Sequence, residues 1–155
     1  LTRIFTNSNC IVVPNFSISA ILLMHLSEIA TPYFSTIEII EFHHNNKIDA
    51  PSGTALATAE KISRNIAEDL RDPTTDLTLE GARGAKAQGN IPIHSVRMEG
   101  MLAHQEVIFG TTGQTLTIRQ DSSDRSSFMP GVLMAIKGIP SLTGVNIGLE
   151  TLLDV

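Results

Sequence analysis

The segment Glu41-Phe42-His43-His44-Asn45-Asn46-Lys47-Ile48-Asp49-Ala50-Pro51-Ser52-Gly53-Thr54-Ala55 holds the densest chemistry of the chain. Ser52, Gly53 and Thr54 stand where an apolar helical pattern begins. The first backbone N–H groups of a helix have no partner inside it, and the dipole is positive there. Gly53 lets a ligand approach the backbone closely, and the two hydroxyls add donors. The set suits a carboxylate or a phosphate. It lacks P-loop spacing, because Lys47 precedes the glycine. The same residues would also serve as a plain helix N-cap beside Pro51. His43 and His44 are adjacent at a strand end, so in extended chain their side chains point to opposite faces. Imidazole titrates near neutrality and can deliver a proton. Lys47, on the loop to the helix, can hold a second anionic group or assist that proton. A solvated loop with two chance histidines is the plainer account. Zinc is disfavoured: neighbouring histidines rarely share one metal, and Cys10 is the only cysteine.

His25, His94 and His104 are isolated. His25 lies on an apolar helix face, and His104 opens a strand; both read as structural. Asp121, Asp124 and Arg125 form a polar corner. Arg125 could clamp a carboxylate bidentately, or simply close a structural ion pair.

The elements that must position these residues follow from periodicity. Ile11 to Val13 is a β-branched run stopped by Pro14 and reads as a strand. Ile18, Ile21, Leu22, His25, Leu26 and Ile29 recur at helical spacing, and Pro32 ends that helix. Ile37 to Phe42 reads as a strand inside a sheet, because neither face is cleanly polar. A long helix follows Ser52, with Leu56, Ala59, Ile62, Ile66 and Leu70 as its stripe and Pro73 beyond it. Residues 72–90 form a long Gly-containing loop, the kind that is usually functional or mobile. Ile91 to Met98 and His104 to Phe109 are strands. Gly110 to Gln114 turns the chain into Thr115 to Arg119, which makes a hairpin. Residues 121–128 read as irregular, and Pro130 to Lys137 as a short helix with proline in its first turn. The fold class expected is α+β: a mixed four-stranded sheet covered by helices, with a strand-helix piece at each end.

The chain has 155 residues, enough for one domain and a core without disulfides. Hydrophobic residues make up 42%, which argues against disorder. Charged residues are 17%, below the about 25% of typical domains, so a partner is expected to cover part of the surface. The net charge of −5 argues against a nucleic-acid coat. No apolar run is long enough for a membrane span, and no cleavage pattern follows the apolar N-terminal stretch, so no signal peptide is expected. A single thiol fits a reducing compartment. The chain begins with Leu1 rather than Met, and a piece of a longer protein is expected.

The string from Glu41 to Ala55 closely resembles the signature E-x-H-H-x-x-K-x-D-A-P-S-G-T-A of the 4-hydroxy-tetrahydrodipicolinate (dihydrodipicolinate) reductase family. Pro14-Asn15-Phe16-Ser17 is similar to that family's Asn-Phe-Ser turn. His104 to Gly110, with Arg125-Ser126-Ser127-Phe128, is similar to its hairpin and following loop. The resemblance implies hydride transfer from NADH or NADPH to an unsaturated cyclic dicarboxylate of lysine and diaminopimelate biosynthesis, in a cytoplasmic homotetramer. It implies His43 as proton donor and Lys47 as its cationic assistant. His44, Ser52, Gly53, Thr54 and Arg125 become the carboxylate-binding group. Val13, Pro14, Asn15, Phe16, Arg125 and Phe128 become the cofactor-facing residues. It divides the chain into a remnant of a Rossmann-like dinucleotide domain (1–13), a substrate-binding and oligomerisation domain (14–124) and a return segment (125–155). One departure is large: the family's Gly-rich pyrophosphate turn is missing from this sequence. Gly81-Ala82-Arg83-Gly84 is no substitute, because no strand feeds it and no helix follows. This chain alone is therefore expected not to turn over. The alternative reading is a non-catalytic dicarboxylate-binding or oligomerisation module.

Overall fold

The computed structural model describes residues 1, 3–5, 8–153 and 155. The chain separates into two compact units, one of residues 1–22 with 124–155 and one of residues 23–123. The division falls inside the first helix.

In the first unit, β1 (Cys10–Val12) pairs in parallel with β7 (Val145–Ile147). The chain leaves β1 through Pro14, and Asn15 Oδ1 accepts the Ser17 N–H at 2.9 Å. That side-chain turn opens α1 (Ile18–Ala30). The unit also holds α3 (Met129–Gly138), with Pro130 in its first turn as expected, and the short α4 (Glu150–Leu153). Gly131 lets α3 approach the chain entering α1. A Cβ there would lie 2.1 Å from the Phe16 carbonyl oxygen, so no larger residue fits without displacement.

The second unit is built on a five-stranded sheet of order β3-β4-β2-β5-β6: β2 (Thr36–His43), β3 (Ala85–Lys86), β4 (Pro92–Arg97), β5 (Ala103–Thr111) and β6 (Gln114–Ser122). β2 is central, as its two-faced pattern requires. It is parallel to β4 and antiparallel to β5. Ile37, Ile39, Ile93, Val107 and Phe109 are buried on one face, and α2 (Gly53–Ser63) buries Ala55, Ala59 and Ile62. The opposite face carries Ile40, Phe42, Val96 and Ile108, all only half-buried, among three acid–base pairs. These are Glu38 with His94, Asp121 with His104, and Glu106 with Arg119, whose guanidinium also lies over the Phe42 ring.

Four expectations need correction. The sheet has five strands rather than four, because residues 85–86 of the long loop pair with β4 at the edge. The second helix ends at Ser63 rather than near Leu70. There the Asn65 N–H turns back to the Ile62 carbonyl, and the chain after it pairs with the loop instead: Leu70 N–H donates to Gly89 O, and Asn90 Nδ2 donates to Leu70 O. Ile66 packs over Gly89, whose φ of 75° suits only glycine comfortably. The hairpin turn is tighter than expected, since Thr111 already pairs with Gln114. Finally, β6 runs on to Ser122, so residues 121–122 are strand, and residues 125–128 form a 3₁₀ turn.

Candidate active site

Side chains alternate along β2, so Glu41 follows Ile37 and Ile39 onto the face that is buried. Its side chain is 0% exposed. A carboxylate in such a place is costly unless its oxygens are satisfied. Arg97 forks onto it, Nη1 to Oε2 at 2.9 Å and Nη2 to Oε1 at 2.8 Å. The parallel register brings that arginine to β2, because Arg97 pairs with His43 across the ladder. The Ser52 N–H donates to Oε1 at 3.3 Å, and His43 Nδ1 closes a short hydrogen bond with Oε2. Burial opposes ionisation of Glu41, but hydrogen bonds from Arg97, Ser95 and His43 outweigh it and hold the carboxyl below its ordinary range. His43 titrates below an ordinary imidazole. Burial is the main cause, Lys47 and Arg97 push the same way, and Glu41 opposes them.

The guanidinium reaches further. Arg97 Nη2 also donates to the Asp49 carbonyl at 2.8 Å, and so ties the end of β2 to the turn that carries Lys47. Within that turn the Lys47 N–H donates to His44 O, and Lys47 Nζ sits between the two Asp49 oxygens at 2.6 and 2.7 Å. This hydrogen bond from Lys47 lowers the Asp49 pKa. The lysine's charge is thus met by an exposed carboxylate, one that an incoming anion can replace.

Ser52 is the N-cap of α2. Its Oγ accepts the Ala55 N–H at 3.2 Å, and its own N–H is spent on Glu41. Gly53 is exposed with open space above its Cα. Behind the helix start, Thr58 donates to Thr54 O and accepts from Gln105 Nε2, which anchors the first turn to β5.

His43, His44, Lys47, Ser52, Gly53 and Thr54 therefore share one end of β2, the turn after it and the first turn of α2. His44 is half-buried. Val13, Pro14, Asn15, Phe16, Arg125 and Phe128 belong to the other unit. There Pro14 is exposed and Phe16 half-buried, and Asp124 caps the 3₁₀ turn through the Ser126 N–H. Arg125 is exposed and closes no ion pair among the described residues, so the structural ion pair considered for it is not formed. The remaining histidines are structural where partners are defined. His94 Nε2 meets Glu38 at 2.7 Å; His104 meets Asp121 through Nδ1, and its Nε2 accepts the Leu102 N–H. Gly81 to Gly84 is a turn whose Arg83 reaches Glu38 and Asp72, not a phosphate loop. Among the described residues no cluster of acidic, His or Cys side chains could hold a metal ion, and no helix is long and apolar enough to cross a membrane.

Arg97 is the site residue that sequence reasoning missed. A signal was available: a glutamate alternating with isoleucines in a central strand needs a cation, and the neighbouring predicted strand offers Arg97.

Comparison with known proteins points to one family. A family model described as "Dihydrodipicolinate reductase, C-terminus" matches residues 19–153. The chain is 56% identical over 148 residues to a 4-hydroxy-tetrahydrodipicolinate reductase of Corynebacterium urealyticum, covering 94% of this chain and 59% of that protein. It is 52% identical over 151 residues to the one of Mycolicibacterium smegmatis, covering 96% and 60%. A solved structure, dipicolinate-bound dihydrodipicolinate reductase from Paenisporosarcina sp. TG-14, superposes with a TM-score of 0.85 at 48% identity, over 93% of this chain and 54% of that one. The chain thus spans about 60% of the length of the curated relatives it matches. On these matches and on the Glu41–Ala55 signature, the chain belongs to the dihydrodipicolinate reductase family.

Proposed function

We propose that this chain supplies the substrate-binding and proton-donating part of a 4-hydroxy-tetrahydrodipicolinate reductase. One observation carries the reading: an imidazole tied through Nδ1 to a buried carboxylate stands beside a lysine and the open N-terminus of α2. A cyclic dicarboxylate offers two anionic groups to that end of the sheet. Ser52, Gly53, Thr54 and His44 take one carboxylate. Lys47 exchanges Asp49 for the other. Two added negative charges favour protonated His43, offsetting the burial that lowers its pKa in the empty site. His43, assisted by Lys47, then donates a proton to the ring carbon left electron-rich by reduction.

A reduced nicotinamide, NADH or NADPH, supplies the hydride when bound. Val13 to Phe16, at the end of β1, would face it. The segment is fixed by the Asn15 turn and by close packing of Gly131 beneath Phe16, which suits a backbone wall for a flat ring. Arg125 and Phe128 would close over it, and the guanidinium of Arg125, in no ion pair among the described residues, is available to a carboxylate or phosphate. The cofactor's pyrophosphate finds no Gly-rich turn in this sequence, so this chain by itself does not turn over. Residues 1–13 and 125–155 belong, in this reading, with the dinucleotide domain, and residues 14–124 form the substrate and oligomerisation domain. The half-buried Ile40–Phe42–Val96–Ile108 face of the sheet is the surface on which copies pair into a homotetramer, in the cytoplasm.

Calorimetric titration with pyridine-2,6-dicarboxylate tests the site. Saturable binding, weakened by both Lys47→Ala and Thr54→Ala, is expected. Absence of binding by the folded chain overturns the assignment, and turnover of substrate with NADPH by this chain alone overturns the claim of inactivity. Binding that persists in assembled holoenzyme without turnover would instead favour a non-catalytic module.

A further inference from the structure

We infer that Glu41, with Arg97, is the positioning residue of the proton donor: it fixes the tautomer and orientation of His43 so that Nε2 is the atom offered to the ligand. The inference rests on the reductase reading for the identity of the step, but its geometry is independent of it. Glu41 touches neither ligand nor cofactor in that reading. It lies fully buried, and its two oxygens accept from both ends of the Arg97 fork, the Ser52 N–H and His43 Nδ1. An ionised carboxylate only accepts. The shared proton therefore resides on Nδ1, and neutral His43 carries a bare Nε2. Nε2 has no partner among the described residues, and the side chain keeps 17% exposure. When the imidazole is charged, its transferable proton is the one on Nε2, because the Nδ1 proton is held by Glu41. The same logic governs other histidines oriented by a carboxylate.

Arg97 makes this arrangement durable. Its fork holds the carboxylate ionised, and its bond to the Asp49 carbonyl joins the turn bearing Lys47 to the same guanidinium. Donor and assistant are thereby referred to one buried ion pair. The Ser52 N–H adds the start of α2 to the same carboxylate, so the anion-binding end of the helix and the imidazole are placed by one group.

The experiment is a pH titration of imidazole ¹⁵N shifts in the chain labelled with ¹⁵N-histidine. His43 is assigned by the signals that vanish in His43→Asn. Neutral His43 should show protonated Nδ1 and bare Nε2. Glu41→Gln should lower its titration midpoint by about one unit or more, since an opposite charge at contact is removed, and should let the two tautomers mix. A wild-type His43 protonated at Nε2, or a midpoint in Glu41→Gln that stays put or rises, overturns the inference. If Glu41→Gln does not fold, the wild-type tautomer decides alone. Titration of the same sample with pyridine-2,6-dicarboxylate separates the two readings. Binding with the wrong tautomer refutes the role of Glu41 only. The right tautomer without binding refutes the reductase reading and leaves the carboxylate–imidazole geometry confirmed.

Discussion

Replacing Arg97 with methionine keeps most of the side-chain volume and removes the charge that Glu41 is buried against. Breaking a buried ion pair from one side costs about 3–5 kcal/mol, because the survivor keeps its desolvation penalty. Two features of this site pull the cost toward the lower bound. Glu41 retains the Ser52 N–H and His43 Nδ1, and the Arg97 side chain is 18% exposed, so water can enter the space it leaves. Loss of the bond to the Asp49 carbonyl adds about 1 kcal/mol. The expected loss is therefore about 3–4 kcal/mol at pH 7, read as a lower midpoint in urea unfolding with an unchanged slope. The pH dependence carries the sharper sign. In the wild type, Glu41 has a folded pKa below its unfolded value of about 4.3, so it stabilises above that pH and the contribution fades as the pH falls through the folded value. In the variant, burial dominates and the folded pKa moves above the unfolded one. The penalty is then largest at neutral pH and is relieved as acid protonates the carboxyl. The gap between the two proteins should narrow steadily from pH 7 to about 4.5. The double variant Glu41→Gln/Arg97→Met should recover part of the loss, which measures the coupling. A loss under about 1 kcal/mol at pH 7, or a gap that is the same at pH 7 and pH 5, would refute the view that this pair holds the site.

Ser52→Ala removes the N-cap of α2 and should cost about 1 kcal/mol, seen as a lower thermal midpoint; because the Ser52 N–H remains, the ¹⁵N shifts of His43 should be unmoved. Gly131→Ala puts a methyl against the Phe16 carbonyl and should destabilise the unit of residues 1–22 and 124–155 by about 1–3 kcal/mol; hydrogen exchange should quicken at β1 amides while β5 amides stay protected. Ile108→Arg places a charge in the half-buried sheet face and should split the proposed homotetramer into smaller species in sedimentation velocity. A wild-type monomer, or an intact variant tetramer, would show that copies do not meet on that face.

Much of this was legible in the sequence because local signals and tertiary demands coincided. Pro14, Pro32 and Pro130 mark element ends whose backbone geometry they enforce. The Ser52-Gly53-Thr54 start was readable because an N-cap is chemistry of three neighbouring residues. The end of α2 was not. The Ile66 and Leu70 positions continue the helical stripe, but the Ile66 side chain packs on Gly89 and the Leu70 backbone is hydrogen-bonded to Gly89 and Asn90, about twenty residues away, and periodicity carries no record of such contacts. The edge strand Ala85–Lys86 is likewise specified by its partner rather than by its own two residues. Glu41 and His43 lay in a recognisable motif, whereas Arg97 lay outside it. Its function is set by the parallel register of β4 on β2, which is a property of the sheet.

The pairing of β1 with β7 has a consequence for how the polypeptide is made. Cys10–Val12 meets Val145–Ile147 across roughly 130 residues of intervening chain; at synthesis rates of about 5–20 residues per second, the first strand waits on the order of ten seconds for its partner. Before that interval ends, all five strands of residues 23–123 have been made, so their sheet can begin to fold ahead of the pairing. A folded insert leaves far fewer loose residues between the two strands, which lowers the entropy that must be lost to join them. The order of synthesis thus favours the five-stranded sheet forming first, with the β1–β7 pair joining after it.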